Sequence, residues 1–164
     1  IANANGFISA PVHSSVSGTV KGIEIIKDLA GNPCKAVVIA VEGDEWVETI
    51  DRSDKIEKEI KLEAKEIIEK IKECGVVGLG GATFPTNVKL SPPPGKKAEF
   101  LIINGAECEP YLTSDYRVLL EMPEQVLIGA QIMMKALNVT QGFIGIEENK
   151  PEAIKVMSEK AKAL

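Results

Sequence analysis

Two short apolar runs constrain this chain more than any other feature. FLIIN at 100–104 and TQGFIGI at 140–146 each read as a buried strand, and between them lie two helical spans, Ser114–Glu121 and Pro123–Leu137. A further helical pattern begins with Pro151 at its first position and runs to Leu164. Strand, helix, strand and helix in that order imply a parallel α/β sheet with right-handed crossovers, because adjacent parallel strands need a connection of helix length. Ligands of such sheets gather beyond the carboxyl ends of the strands. Asn104, Glu107 and Glu109 of NGAECEP follow the first strand, and Glu147 and Glu148 follow the second. If the two strands are neighbours, these residues share one edge.

A second motif, GLGGATFPTNVKL, lies upstream, with Gly78, Gly80 and Gly81 within four residues. Glycines this dense cost backbone entropy and mark positive φ or a backbone that a ligand touches. A phosphate-binding Walker loop is excluded, since Gly81 is followed by Ala82 and Thr83 and the nearest lysine is Lys89. The dinucleotide fingerprint also fails, because Thr83 stands where its third glycine belongs and the preceding segment is helical. What remains is a loop of exposed amides followed by Pro85 at the start of a short helix, suited to an anion or a flat ring, with Lys89 adding positive charge.

Ahead of this loop, residues 54–73 read as one amphipathic helix, with Ile56, Ile60, Ala64, Ile67, Ile68 and Ile71 on one face and a solvated face of alternating charge. Gly75 stands where a helix stop belongs. Residues 1–50 form a small β module of short apolar stretches broken by glycine and proline, and residues 51–164 form the α/β domain. Within the module, SAPVHSSVSGTV is similar to a half-repeat of the biotinyl/lipoyl-like barrel sandwich, without the presented lysine that a carrier domain modifies. His13, the only histidine, reads as structural, and Trp46 as an interdomain packing residue. The SPPPGKK segment at 91–97 is a bend.

Taken together, GxGGAxFPTxxK and NxxExEP resemble the flavin-binding signature of the NADH-oxidising subunit of respiratory complex I. The likeness is closer to the C subunit of the Rnf electron-transport complex, since ANGFISAPVHSSVSGTV and GFIGIEENKPEAI resemble it too and extend the match over essentially the whole chain. The resemblance implies a partial barrel-sandwich-hybrid module followed by an incomplete FMN- and NAD-binding α/β domain. The intact protein would exchange electrons between NAD(H) and ferredoxin through FMN and [4Fe-4S] clusters, peripheral on the cytoplasmic face of the cell membrane and bound to the other subunits of an ion-translocating complex. It implies that the amides of Gly78, Gly80 and Gly81 border the flavin and nucleotide, that Phe84 stacks on adenine, that Lys89 pairs with a phosphate and that Asn104 binds the ring edge or ribityl chain. Glu107, Glu109, Glu147 and Glu148 would face hydroxyl and amide donors. No catalytic or metal-ligating side chain is expected. The chain departs from the complex I pattern at Leu79, Pro92 and Ala106, which weakens nucleotide placement more than flavin placement.

Composition narrows the remaining readings. A net charge of −5 from 19 basic and 24 acidic residues offers no basic patch for nucleic acid. Cys34, Cys74 and Cys108 are widely spaced, which points to a reducing compartment and leaves iron–sulfur clusters to segments outside the chain. Cys108, between two glutamates, reads as a small packing residue. The missing initial methionine and the helical pattern running to Leu164 lead us to expect a fragment cut at both ends and inactive alone. Two rivals stay open: the flavoprotein subunit of a complex I-like or NAD-linked hydrogenase enzyme, and a docking module whose glycine loop binds nothing.

Overall fold

The computed structural model describes residues 1–163 and divides into two compact units, Ile1–Lys55 and the remainder from Ile56. In the first unit, β1 (Gly18–Lys27) and β2 (Pro33–Val41) form an antiparallel hairpin in register from Gly18↔Val41 to Lys27↔Pro33, with a bulge between Val20 and Gly22. Asp28 shapes the turn, its Oδ1 accepting from the amides of Ala30 and Asn32 at 2.9 and 2.8 Å while Gly31 takes φ +86°. At the other end the Ser17 hydroxyl donates to the Glu45 carbonyl (2.6 Å) and accepts from the Glu45 amide (2.8 Å), fixing where the chain leaves the hairpin. Trp46 stays half-exposed with local partners, Asp44 at its indole nitrogen and the Arg52 guanidinium over its ring. No residue of this unit is buried.

The second unit is built on α4 (Pro123–Leu137), preceded by α1 (Ala64–Glu73), α2 (Thr86–Lys89), β3 (Leu101–Asn104) and α3 (Ser114–Glu121), and followed by β4 (Gly142–Gly145) and α5 (Pro151–Ala163). Successive turns of α4 serve three apolar clusters. Leu127 packs with Leu119, Ala153 and Met157, Ala130 with Leu101 and Val139, and Ala136 with Ile67 and Leu90. Strands β3 and β4 pair in parallel from Leu101↔Gly142 to Asn104↔Gly145, as the alternation requires. They are covered less than expected: Leu101 is buried, whereas Ile102 and Phe143 are exposed, the Phe143 ring lying edge-on to Phe100 with centres 5.8 Å apart. The last position of the predicted α5, Leu164, lies outside the described residues.

The first helix is the main departure. It begins at Ala64 rather than 54, because a reciprocal capping box starts it there: Glu63 accepts from the backbone of Glu66, whose side chain accepts from the Glu63 amide at 2.8 Å. Lys135 of α4 then donates to the Ile60 carbonyl at 2.9 Å, so Ile60 reaches the Ile67–Leu90–Ala136 cluster from a non-helical segment. Helical spacing alone cannot separate these outcomes, since an irregular segment can also place an occasional isoleucine on a core. The stop at Gly75 is as expected, with φ +67° and a Val76 amide returning to Ile71.

Candidate functional site

The parallel pairing joins the two strand ends. The Gly105 amide donates to the Gly145 carbonyl at 2.8 Å, one step beyond β3, and a Cβ there would stand 3.0 Å from that oxygen. Asn104 Oδ1 accepts from the Ala106 amide at 3.1 Å and bends the chain away from the sheet. That bend turns Glu107 inward, leaving its side chain only 3% exposed. Glu107 Oε1 accepts from the Asp115 amide in the first turn of α3 at 3.0 Å, and the Glu107 amide donates to Glu147 Oε2 at 3.4 Å. Its second oxygen, Oε2, has no hydrogen-bond partner and faces the Lys150 ammonium at 3.8 Å. Lys150 also lies 4.9 Å from the centre of the Tyr116 ring. The Tyr116 hydroxyl donates to Glu152 at 3.0 Å, which raises its pKa above the ordinary phenol value.

Glu107, Glu109, Tyr111, Glu147, Asn149 and Lys150 line a cavity of about 310 Å³ together with Cys108. Cys108 and Glu109 are exposed, so the cysteine is a lining residue and not a packed one. Glu148 is exposed next to the lining, and Tyr111 stands fully exposed at φ +65°, an uncommon backbone state for a non-glycine residue. Three carboxylates and one ammonium make this cavity a receiver of hydrogen-bond donors and a poor place for a phosphate. A larger cavity, about 430 Å³, lies among Leu101, Ile103, Met134, Phe143 and Met157, along the two strands, and includes none of the site residues expected from the sequence.

The glycine motif forms its own site. The Thr86 amide donates to the Val76 carbonyl at 3.0 Å and the Gly78 amide to the Phe84 carbonyl at 2.9 Å, closing a tight loop whose tip runs from Leu79 to Thr83. Gly81 takes φ +117° and Thr83 φ +48° at that tip. A side chain on Gly78 would begin where the Lys89 ammonium lies, whereas one on Gly80 or Gly81 would meet nothing within 4 Å. The tip is therefore open backbone beside a cation, and Lys89 has no ion-pair partner among the described residues. The short helix contributes less than expected, since α2 has four residues and its first amide, Thr86, is committed to Val76. Phe84 is half-buried.

The structure thus brings Glu107, Glu109 and Glu147 to one cavity, with Asn104 at the adjoining strand end and Glu148 beside it. Gly78, Gly80, Gly81, Phe84 and Lys89 are absent from that cavity's lining. Sequence reasoning missed Lys150, Tyr116 and Tyr111. Lys150 carried a signal, standing three residues after Glu147 in EENK, while nothing in the sequence marked Tyr111 for a positive φ. Among the described residues, no three His, Cys, Asp or Glu side chains converge as a metal set, and no helix is long and apolar enough to cross a membrane.

Comparison with known proteins agrees with this two-unit organisation. Residues 71–164, more than half of the chain and including both motifs, match the family described as the Nuo51 FMN-binding domain, and residues 1–44 match the RnfC barrel sandwich hybrid domain. The chain belongs to the Nuo51 FMN-binding domain family, with an RnfC-type barrel-sandwich module ahead of it. The expected α/β fold class and resemblance are borne out. Among its relatives is the C subunit of the proton-translocating ferredoxin:NAD(+) oxidoreductase complex of Clostridium ljungdahlii, to which it is 49% identical over 97% of its length, covering 34% of that protein. To the C subunit of the Na(+)-translocating ferredoxin:NAD(+) oxidoreductase complex of Acetobacterium woodii it is 44% identical over 96% of its length, covering 35%. To the C subunit of the ion-translocating oxidoreductase complex of Rhodobacter capsulatus it is 40% identical over its whole length, covering 31%. The chain spans about a third of the length of these curated relatives.

Proposed function

We propose that this chain is the flavin-holding portion of a C subunit of an ion-translocating ferredoxin:NAD oxidoreductase complex. The observation that carries the reading is the Gly78–Thr83 loop, an open backbone tip beside the Lys89 ammonium. That geometry fits a flat, phosphate-bearing cofactor, and the family to which residues 71–164 belong is an FMN-binding one. Lys89 would pair with the FMN phosphate, the backbone of Gly78, Gly80 and Gly81 would approach the flavin, Phe84 would offer its ring to adenine, and Asn104 would donate its side-chain amide to the flavin edge or ribityl chain. Bound FMN supplies exchange between hydride and single-electron transfer.

NAD(H) is the proposed second ligand. Glu109, Glu147 and Glu148, with Glu107 behind them, would accept from its hydroxyls and carboxamide. The names of the relatives support ferredoxin as redox partner and the other subunits of an ion-translocating complex as neighbours. A peripheral position on the cytoplasmic face of the membrane follows from that reading, with iron–sulfur clusters held outside this chain. The RnfC-type match of residues 1–44 favours this reading over a soluble hydrogenase or complex I subunit.

An FMN titration followed by flavin fluorescence tests the proposal, run on the full-length subunit, on its Gly80→Trp variant and on this chain. The full-length subunit should bind, and an indole at Gly80 should weaken binding at least about tenfold by filling the open tip. Full-length protein that does not bind FMN, or a Gly80→Trp variant that binds it equally well, would overturn the assignment.

A further inference from the structure

We infer that Lys150 is a positioning residue, one that holds the Asn104–Pro110 loop in shape by neutralising the inward-facing Glu107. Three observations converge. Glu107 turns its side chain into the protein, 3% exposed, while Glu109 of the same motif and Glu148 are exposed and Glu147 is half-buried. One of its oxygens caps α3 through the Asp115 amide, and the other, buried and without a hydrogen bond, has the Lys150 ammonium at 3.8 Å. Lys150 is fixed from its own side as well, lying over the Tyr116 ring while its amide donates to the Glu147 carbonyl at 3.0 Å.

A carboxylate buried this far requires a counter-charge, and among the described residues no other cation is paired with it. The groups in contact with Glu107 are Lys150 and Glu147 from the β4–α5 connection and the Asp115 amide from α3, with Tyr116 of α3 against Lys150. Lys150 is the sole base among them. Remove it, and Glu107 swings into the cavity, pulling its cap from α3 and releasing the loop that carries Glu109. Lys150 therefore acts on the ligand through Glu107, and its functional importance rests on the reading proposed above.

The test uses the full-length subunit with Lys150→Met, Lys150→Arg and the double variant Lys150→Met/Glu107→Gln. Backbone hydrogen exchange of the peptide spanning residues 105–117 and the unfolding midpoint are measured without ligand. Lys150→Met should speed exchange in that peptide at least about tenfold near neutral pH while leaving α4 unchanged. Its unfolding midpoint should fall below that of the wild type, because the buried Glu107 carboxylate is left without a counter-charge. Lys150→Arg should restore wild-type exchange, and the double variant should recover most of the lost midpoint because it removes the unpaired charge. Wild-type exchange and midpoint in Lys150→Met, or a double variant as destabilised as the single one, would overturn the inference. NADH affinity measured on the same proteins separates the two readings: a wild-type subunit that binds no NADH removes the nucleotide assignment, and the ligand-free measurements still decide the role of Lys150.

Discussion

Gly18 and Gly78 both stand where a side chain would meet another atom, but what it meets differs. A side chain at Gly18 would collide with the Ala40 carbonyl across the hairpin, at φ +149°, and backbone cannot step aside. At Gly78 the obstacle is the free end of the Lys89 side chain, which can move. Gly18→Ala should therefore break the β1–β2 register, at a cost of about 2 kcal/mol or more, seen as lost amide protection over residues 18–41. Gly78→Ala should leave the unfolding midpoint nearly unchanged yet weaken FMN binding about tenfold in the full-length subunit, because it displaces the cation and leaves the fold intact. The density of glycines at 78–81 was legible in the sequence, but the contact that decides Gly78 joins residues brought together by the loop closing on itself. The inward turn of Glu107 was illegible for a similar reason. In an irregular loop no periodicity distinguishes it from Glu109, and the bend at Asn104 makes the choice.

Elements were more legible where a local signal sets their limits. Pro123 at the first position of α4, a left-handed Asn138 after its end and Pro151 at the start of α5 mark boundaries that a reader of the sequence can place. The start of α1 was hidden, since its capping box uses glutamate in a stretch already crowded with glutamate and lysine. Helix contacts also supply a pH-dependent clamp. Glu124, in the first turn of α4, accepts from Lys160 of α5 at 3.1 Å and pairs with Lys58 at 3.2 Å, and these ammonium groups hold its carboxyl below the usual range. The sign follows from the direction of that shift. The contribution is present above the unfolded carboxylate value and is lost as pH falls through the lowered folded value. Thermal unfolding from pH 6 down to pH 3 should show a decline that Glu124→Gln makes shallower, and the difference should shrink in high salt.

For the whole molecule, the division of burial is the governing fact. Every buried apolar residue among those described lies at or beyond Ile67, while β1 and β2 leave Ile23, Ile25, Val20 and Val41 exposed. An isolated two-stranded hairpin is marginal in water, whereas the clusters along α4 form a cored unit. A chain beginning at Ile56 should keep its helical circular dichroism and unfold cooperatively, and residues 1–55 alone should show no cooperative transition. The acidic cavity belongs to that cored unit, yet its two halves are written far apart: Glu107 and Glu147 are separated by 40 positions. A ribosome adding about 5–20 residues per second needs roughly 2–8 s to cover that interval. Throughout it the motif exists as nascent chain without the lysine that neutralises it, so the cavity can be assembled only after translation has passed Lys150.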